Sequence, residues 1–222
     1  MRAEVFEDRA EAGRLLGERV GRESASRGGL TDPLVLAIPR GGVEVGAALA
    51  GALGGGAELD VVLSRKLRAP GHEEFALGAV SETGEVWLNP DVEGRVSHAV
   101  IERERASRLE ELVRRRRSVR AVRARARIEG RSVIVTDDGI ATGSTMIAAL
   151  RTVRSERPRE LIVAVPVAPP ERLEEIAALC DRVVCLESPA GFAAVGQYYR
   201  DFGQVGDERV LELMRAAAVG QR

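Results

Sequence analysis

The sequence is poor in lysine and cysteine and carries almost no net charge. Its 222 residues include 33 cations, among which Lys66 is the only lysine, and the formal net charge is −1. Such a chain has no global field that draws it onto nucleic acid or an acidic membrane. The two cysteines, Cys180 and Cys185, exclude a disulfide scaffold, and with no histidine near them they do not form a zinc motif.

Long apolar runs are also absent. No run approaches the roughly 20 apolar residues that cross a bilayer, so we expect no membrane contact. The first 20 residues are charged at helical spacing and lack the apolar stretch of a signal peptide, which makes the cytoplasm the expected location. With 45% apolar and 30% charged residues the composition is globular, and the length fits one domain over residues 1–222.

Short apolar runs alternate with helical segments along most of the chain. The runs lie at 33–38, 59–63, 132–136, 161–167 and 182–186. This alternation predicts an α/β fold, with a central, mostly parallel sheet of about five strands flanked by helices. Residues 2–28 and 95–127 are predicted to be helical. Residues 68–94 are rich in Gly, Pro and Asn, which predicts a flexible β-ribbon or loop.

The most informative segment is 133–145, in which an apolar strand ends at two adjacent acids, Asp137 and Asp138. A loop of small and hydroxyl-bearing residues follows, and then a helix begins. Open α/β sheets bind ligands at the carboxyl ends of their strands, and the backbone N–H groups at a helix N-terminus bind anions. The loop therefore predicts a phosphate site, while the carboxylates fit sugar hydroxyls or a magnesium shell. Together they indicate a phosphorylated ribose.

This segment closely resembles the PRPP-binding motif of type I phosphoribosyltransferases, where PRPP is 5-phosphoribosyl 1-pyrophosphate. It departs from the family pattern at Gly139, where a branched apolar residue is more usual. The resemblance implies that Asp137 and Asp138 bind the ribose hydroxyls. They are also the candidate Mg²⁺ ligands, either directly or through water or the ribose. The implied 5′-phosphate site consists of Ala141, Thr142, Gly143, Ser144 and Thr145.

The same resemblance assigns the pyrophosphate end of PRPP. After the first predicted strand come Arg40, Gly41 and Gly42, where two glycines expose backbone N–H groups and Arg40 adds positive charge. Lys66 follows the second predicted strand, and its compact ammonium differs chemically from the planar guanidinium of the other cations. The resemblance implies that these four residues bind pyrophosphate. The candidate catalytic residues are Asp137, Asp138 and Lys66.

Residues 68–94 correspond to the family's flexible loop that closes over the reaction centre and excludes water. His72 and Glu73 lie at its polar tip. They either touch the leaving group or nucleophile, or they form a solvated tip with no role in the chemistry.

Residues 188–222 correspond to the family's C-terminal hood, here followed by a helix. In this family the hood holds the nucleophile that accepts the phosphoribosyl group. Phe192, Val195 and Tyr198 are the candidate acceptor residues, because Phe192 or Tyr198 can stack on a flat ring. A purely local apolar cluster is the alternative interpretation.

The segment 101–127 is strongly basic, with 11 Arg and four Glu. Such a helix can present a nucleic-acid face. However, no aromatic residues are interleaved for stacking and the arginines go all round the helix, which argues against nucleic acid as a partner. Beside nucleic acid, two alternatives remain open: a solvated, ion-paired or dimer-contacting helix, and a set of arginines that helps to bind polyphosphate.

The motifs together predict a Mg²⁺-dependent enzyme that transfers the 5-phosphoribosyl group from PRPP to a nucleophile, such as a nucleobase, and releases pyrophosphate. The resemblance also implies a homodimer. The alternative is a regulatory protein on the same fold that senses PRPP and binds nucleic acid through residues 101–127. A Rossmann-type nucleotide-binding module fits less well, because no G-x-G-x-x-G follows the first strand. The acceptor is left open.

Overall fold

The fold is built on a parallel sheet of five strands in the order β2-β1-β6-β7-β8. The computed structural model describes residues 5–54, 56–69, 72–88 and 96–219. The strands of this sheet are β1 Leu34–Ala37, β2 Glu58–Val61, β6 Ser132–Thr136, β7 Glu160–Val167 and β8 Arg182–Glu187. The predicted α/β class with a central parallel sheet is confirmed. Buried apolar residues, most of them β-branched or leucine, form both faces of the inner strands β1, β6 and β7, as a sheet covered on both sides requires.

Helices cover both faces of the sheet. They are α1 Arg9–Ala25, α2 Gly42–Leu53, α3 His98–Arg120, α4 Ser144–Ser155, α5 Pro170–Ala177 and α6 Asp207–Val219. Side chains of α1, α2, α3 and α6 share one apolar core with one face of the sheet, whereas α4 and α5 share another with the opposite face. No helix in the described part of the chain is both long enough and apolar enough to cross a membrane.

Helix α1 is shorter than the predicted 2–28. It begins at Arg9 because Asp8 caps it: Asp8 Oδ1 accepts a hydrogen bond of 2.8 Å from the Glu11 N–H. The chain leaves the helix through Gly28 and Gly29, which have φ of 95° and 86°. These values lie in the left-handed region that glycine adopts without strain.

A second, three-stranded antiparallel sheet is formed within residues 64–69 and 72–88. Its strands are β3 Ser64–Ala69, β4 His72–Ser81 and β5 Val86–Leu88. The described part of the ribbon predicted over 68–94 therefore belongs to a sheet that already begins at Ser64. Lys66 lies within β3, paired with Ala79 of β4, rather than at the end of β2. Residues 89–95 and the side chains of His72 and Glu73 lie outside the described residues.

The basic helix α3 ends at Arg120, so the prediction of helix up to residue 127 is wrong. The reason is the buried carboxylate of Asp60, which is 1% exposed. It accepts hydrogen bonds from Arg120 Nη1 at 2.7 and 3.0 Å and from the Ala126 N–H at 2.9 Å. The chain leaves the helix after Arg120 and runs alongside β2, which satisfies this carboxylate.

Most of the arginines in the basic segment pair with carboxylates of this chain. The ion-paired arginines of the segment 101–127 include Arg105, Arg108, Arg116, Arg120, Arg123, Arg125 and Arg127. Glu82, buried at the end of the small sheet, pairs with three of them. Ion pairing within the chain therefore accounts for much of the basic segment, in line with the first of the two alternatives.

Candidate functional site

The two predicted ligand loops emerge side by side from the middle of the sheet. Strands β1 and β6 are parallel neighbours, with Ala37 opposite Thr136, and the Ile38 N–H donates to the Thr136 carbonyl at 2.9 Å. The loop after β1 therefore meets the acidic pair that follows β6. This edge is where open parallel sheets bind ligands. The structure thus brings together the two segments that the sequence assigns to opposite ends of PRPP.

Glycine is required where these two loops touch. A Cβ added at Gly41 would overlap the Asp138 carboxylate, and one at Gly42 would lie 2.9 Å from Asp137 Oδ1. Any side chain at either position would displace a carboxylate. The peptide bond between Pro39 and Arg40, which enters this loop, is cis. The close approach leaves the backbone of the loop directly against the acidic pair.

Arg9 reaches the acidic pair from the first turn of α1. Its Nε donates to Asp138 Oδ2 at 2.9 Å and its Nη1 donates to the Gly203 carbonyl at 2.9 Å. The guanidinium also lies over the ring of Phe202, with Cζ 3.9 Å from the centroid. The side chain is 8% exposed, so the charge is largely removed from water. Asp138 is therefore held by a residue that sequence reasoning did not identify.

Tyr199 holds the same residue from the C-terminal segment. Its hydroxyl donates to the Asp138 carbonyl at 2.6 Å, and burial raises the pKa of this phenol above its usual value, so it remains a donor. The segment is tied to the N-terminus as well, because the Phe6 N–H donates to the Tyr198 carbonyl at 2.8 Å. The N-terminal and C-terminal segments together fix the backbone and side chain of Asp138.

The two carboxylates of the site have raised pKa values. Burial raises the pKa of Asp137 well above its usual range, and the neighbouring negative charge of Asp138 raises it further. Burial also raises the pKa of Asp138, while the hydrogen bond and charge of Arg9 oppose that rise. Arg9 therefore favours the ionised form of Asp138 in a setting that disfavours two adjacent negative charges.

The predicted phosphate loop has the geometry of an anion site. Gly143, at φ 78°, precedes the first turn of α4, which begins at Ser144. The N–H groups of this first turn have no partner within the helix. Ala141, Thr142 and Thr145 are exposed around it, and Thr142 Oγ1 lies 3.5 Å from Ser144 Oγ.

Lys66 lies at this phosphate loop. Its Nζ donates to Ser144 Oγ at 3.4 Å, across from β3 to the start of α4. The small sheet that carries it packs against α4, where the Arg151 guanidinium lies over the Trp87 ring with Cζ 3.4 Å from the centroid. The resemblance assigns Lys66 to pyrophosphate, whereas its position here is beside the 5′-phosphate loop.

The candidate acceptor residues form an apolar cluster beside the acidic pair. Val195 lies against Gly139: a Cβ added there would be 2.6 and 2.9 Å from the two methyl carbons of Val195. Phe192 and Tyr198 stack on each other, with ring centroids 5.7 Å apart and planes at 9°. Tyr198 is 7% exposed, so the bulk of its ring is already covered by protein. Val195 therefore fills the space that the family's usual branched residue at position 139 would need.

The acidic pair has the donor chemistry of a magnesium site that is completed by a substrate. Among the described residues, no group of three or more His, Cys, Asp or Glu side chains is arranged to hold a metal ion. Two carboxylates suffice for Mg²⁺, which keeps several waters and is commonly held by one or two carboxylates plus substrate phosphates. Asp137 and Asp138 fit this role.

Comparison with known proteins decides the family. Residues 10–202 match the phosphoribosyl transferase domain. The chain belongs to this family. Two relatives from Mycobacterium tuberculosis, "Putative phosphoribosyl transferase MT0597" of strain CDC 1551 / Oshkosh and "Putative phosphoribosyl transferase Rv0571c" of strain H37Rv, are each 39% identical over 216 residues, which is 96% of this chain and 47% of the relative. The chain thus spans about half the length of these relatives.

A solved structure covers the whole fold of this phosphoribosyl transferase domain. It is the crystal structure of TT1426 from Thermus thermophilus, which is 47% identical and superimposes with a TM-score of 0.88. The match covers 96% of this chain and 98% of that chain. The arrangement of the sheets and helices described above is therefore shared with an experimentally solved protein.

Proposed function

We propose that this phosphoribosyl transferase domain binds PRPP with Mg²⁺ and transfers its 5-phosphoribosyl group to a nucleophile, with release of pyrophosphate. The observation that carries the proposal is the position of the acidic pair, which lies between the glycine loop after β1 and the phosphate loop before α4. A ligand that has an anion at each end and a diol between them matches this order. PRPP is such a molecule.

Each part of the site has a role in this proposal. The phosphate loop at 141–145, with Lys66 beside it, holds the 5′-phosphate. Asp137 and Asp138 accept hydrogen bonds from the ribose hydroxyls and supply oxygens to Mg²⁺, which, when bound, neutralises charge on the departing pyrophosphate. Arg40 and the backbone of the glycine loop hold the pyrophosphate end.

The chemistry follows from this placement. The bond between C1 of the ribose and the pyrophosphate oxygen breaks, its electron pair leaves with pyrophosphate, and the nucleophile forms the new bond to C1. Positive charge develops on the ribose as that bond lengthens. The nearby carboxylates stabilise this charge, and the two loops hold the reacting groups in line, so the protein contributes positioning and electrostatics.

The acceptor is proposed only by class. Val195 and the Phe192–Tyr198 stack present apolar surface beside Gly139, which suits an acceptor with an apolar or aromatic face, a nucleobase among them. We also propose a homodimer, on the basis of the family resemblance, and a cytoplasmic location, on the basis of the sequence. A role in nucleic-acid binding gains no support from the basic segment, because so many of its arginines are paired within the chain.

The decisive experiment is calorimetric titration of PRPP with Mg²⁺ into the wild type and the variant Asp137→Asn/Asp138→Asn. We expect the double variant to lose PRPP affinity by at least about tenfold, since each carboxylate loses its negative charge and one acceptor oxygen. A matched control removes two exposed carboxylates of α5, as Glu171→Gln/Glu174→Gln. Unchanged PRPP binding by the double Asp variant would contradict the site. Pyrophosphate release with a panel of nucleobases then identifies the acceptor.

A further inference from the structure

A second opening lies beside the glycine loop and is lined by cations. It is a cavity of about 180 Å³ between the loop after β1, the connection from β2 to β3, the last turns of α3 and the first turn of α6. Its lining includes Arg40 from the glycine loop and Arg114 and Arg115 from α3. One water molecule needs only about 10–15 Å³ of such space, so the cavity is large enough for a phosphate group.

Arginines outnumber carboxylates among the residues that line this cavity. The lining contains three arginines and one carboxylate, that of Asp207 at the start of α6. Arg40 and Arg114 are exposed, and neither forms an ion pair with a residue that the structure describes. By contrast, Arg120, Arg123 and Arg125 of the basic segment pair with Asp60, Glu58 or Glu82. The helix thus places two cations next to the glycine loop, on a side of α3 where Asp207 is the only carboxylate in the lining.

We propose that Arg114 and Arg115 bind the pyrophosphate group of PRPP together with Arg40. This inference rests on the proposed function and extends the pyrophosphate end of the site onto α3. Guanidinium groups match phosphate oxygens bidentately, and three of them around one cavity suit a group with two linked phosphates. It also gives a ligand to Arg114, an exposed arginine of the basic segment.

Asp207 should weaken the affinity of this cavity for an anion. Its carboxylate lies at the N-terminus of α6, where the helix dipole stabilises a negative charge. In the cavity the same charge opposes an entering anion. Removing the Asp207 carboxylate should therefore raise pyrophosphate affinity, whereas removing an arginine should lower it. The two kinds of substitution test the proposal independently.

The test compares two probes by calorimetry, Mg²⁺–pyrophosphate for one end of the site and ribose 5-phosphate for the other. For Arg114→Gln/Arg115→Gln we expect pyrophosphate affinity to fall at least about tenfold, because charge-assisted hydrogen bonds are lost, with ribose 5-phosphate affinity unchanged. Asp207→Asn should tighten pyrophosphate binding. The control Arg103→Gln/Arg117→Gln removes the same charge from the same helix outside the cavity lining, and should leave both affinities near wild type.

Several results would overturn the inference. They are an unchanged pyrophosphate affinity in Arg114→Gln/Arg115→Gln, an equal loss in the control pair, or weaker binding in Asp207→Asn. If the double Gln variant does not fold, Arg114→Lys/Arg115→Lys keeps the charge and should lose affinity less steeply, while Asp207→Asn tests the sign alone. Failure of the proposed function is distinct, because then the wild type binds neither PRPP nor ribose 5-phosphate.

Discussion

Arg9 Nε lies 2.9 Å from Asp138 Oδ2, although the two residues are 129 positions apart in the chain. The pair joins the first turn of α1 to the acidic pair at the end of β6. Because Arg9 also donates to the Gly203 carbonyl, it links the candidate active site to the C-terminal segment. An ordered Asp138 therefore depends on both ends of the described chain.

Replacing Arg9 should change the pH dependence of PRPP binding. Arg9 lowers the pKa of Asp138 against the effect of burial, so Arg9→Gln should raise that pKa further and protonate the carboxylate at a higher pH. PRPP affinity should fall, and the loss of affinity on acidification should begin at a higher pH than in the wild type. Calorimetric titrations from about pH 5 to pH 8 measure this shift.

Two variants control for other effects of the Arg9 substitution. Arg9→Lys keeps the charge and should restore part of the affinity. Arg14→Gln removes an exposed arginine of the same helix, which is paired with Glu18, and should bind PRPP as the wild type does. Parallel pH profiles for Arg9→Gln and the wild type would show that Arg9 does not act through the ionisation of Asp138.

The carboxylate of Asp137 should destabilise the folded protein at neutral pH. Its folded pKa is raised by burial and by Asp138, so the stability it contributes is fully present below the unfolded pKa of about 3.9 and is lost as the pH rises through the folded value. Asp137→Asn should therefore raise the melting temperature at neutral pH, by about 2–4 °C for each kcal/mol relieved. The gain should vanish near pH 4, by the same linkage. A lower melting temperature at neutral pH would contradict the shift.

The sheet and the two ligand loops could be predicted because their signals are local in sequence. Apolar runs mark the strands, and the acidic pair, glycines and hydroxyls lie within a few residues of a strand end. Arg9 and Tyr199 could not be found in this way, since each meets Asp138 only through tertiary packing, across 129 and 61 residues. The end of α3 was missed for the same reason, because Asp60 lies far away in sequence.

Gly139 and Val195 should behave as a coupled pair. Gly139→Val should clash with Val195 and destabilise the fold, and Val195→Gly should leave a cavity. The double variant returns a branched residue to position 139, as is usual in the family, and removes the clash with Val195. We expect a coupling energy of about 0.5–3 kcal/mol in a double-mutant cycle measured by urea unfolding. Strictly additive effects would mean that the two residues do not share this space.

Asp60 should be one of the most sensitive positions in the fold. Its carboxylate is buried and accepts hydrogen bonds from Arg120 and from the Ala126 N–H, and Asp60→Ala leaves those donors without it. Breaking a buried pair in this way costs about 3–5 kcal/mol. Urea unfolding measures the loss. Arg127→Ala, which removes an exposed arginine paired only locally with Glu129, should stay within about 0.5 kcal/mol of wild type. A loss for Asp60→Ala no larger than that for Arg127→Ala would contradict this account.

Substitution of Lys66 tests which end of PRPP this lysine binds. Its Nζ lies 3.4 Å from Ser144 Oγ, at the loop proposed for the 5′-phosphate. We therefore expect Lys66→Met to weaken ribose 5-phosphate binding by about tenfold, the loss expected for one charge-assisted hydrogen bond, and to affect Mg²⁺–pyrophosphate less. Calorimetry with the two probes separates the ends of the site.

The neighbour of Lys66 supplies the control for this test. Arg65→Met removes an equal charge from the adjacent residue of β3, whose side chain points to the opposite face of the strand, and should have little effect on either probe. Lys66→Arg keeps the charge but replaces a compact ammonium by a longer planar fork, so it should restore only part of the ribose 5-phosphate affinity. If Lys66→Met instead weakens pyrophosphate alone, the lysine turns toward the leaving group when PRPP binds, as the family resemblance implies. The contact with Ser144 would then belong to the ligand-free state.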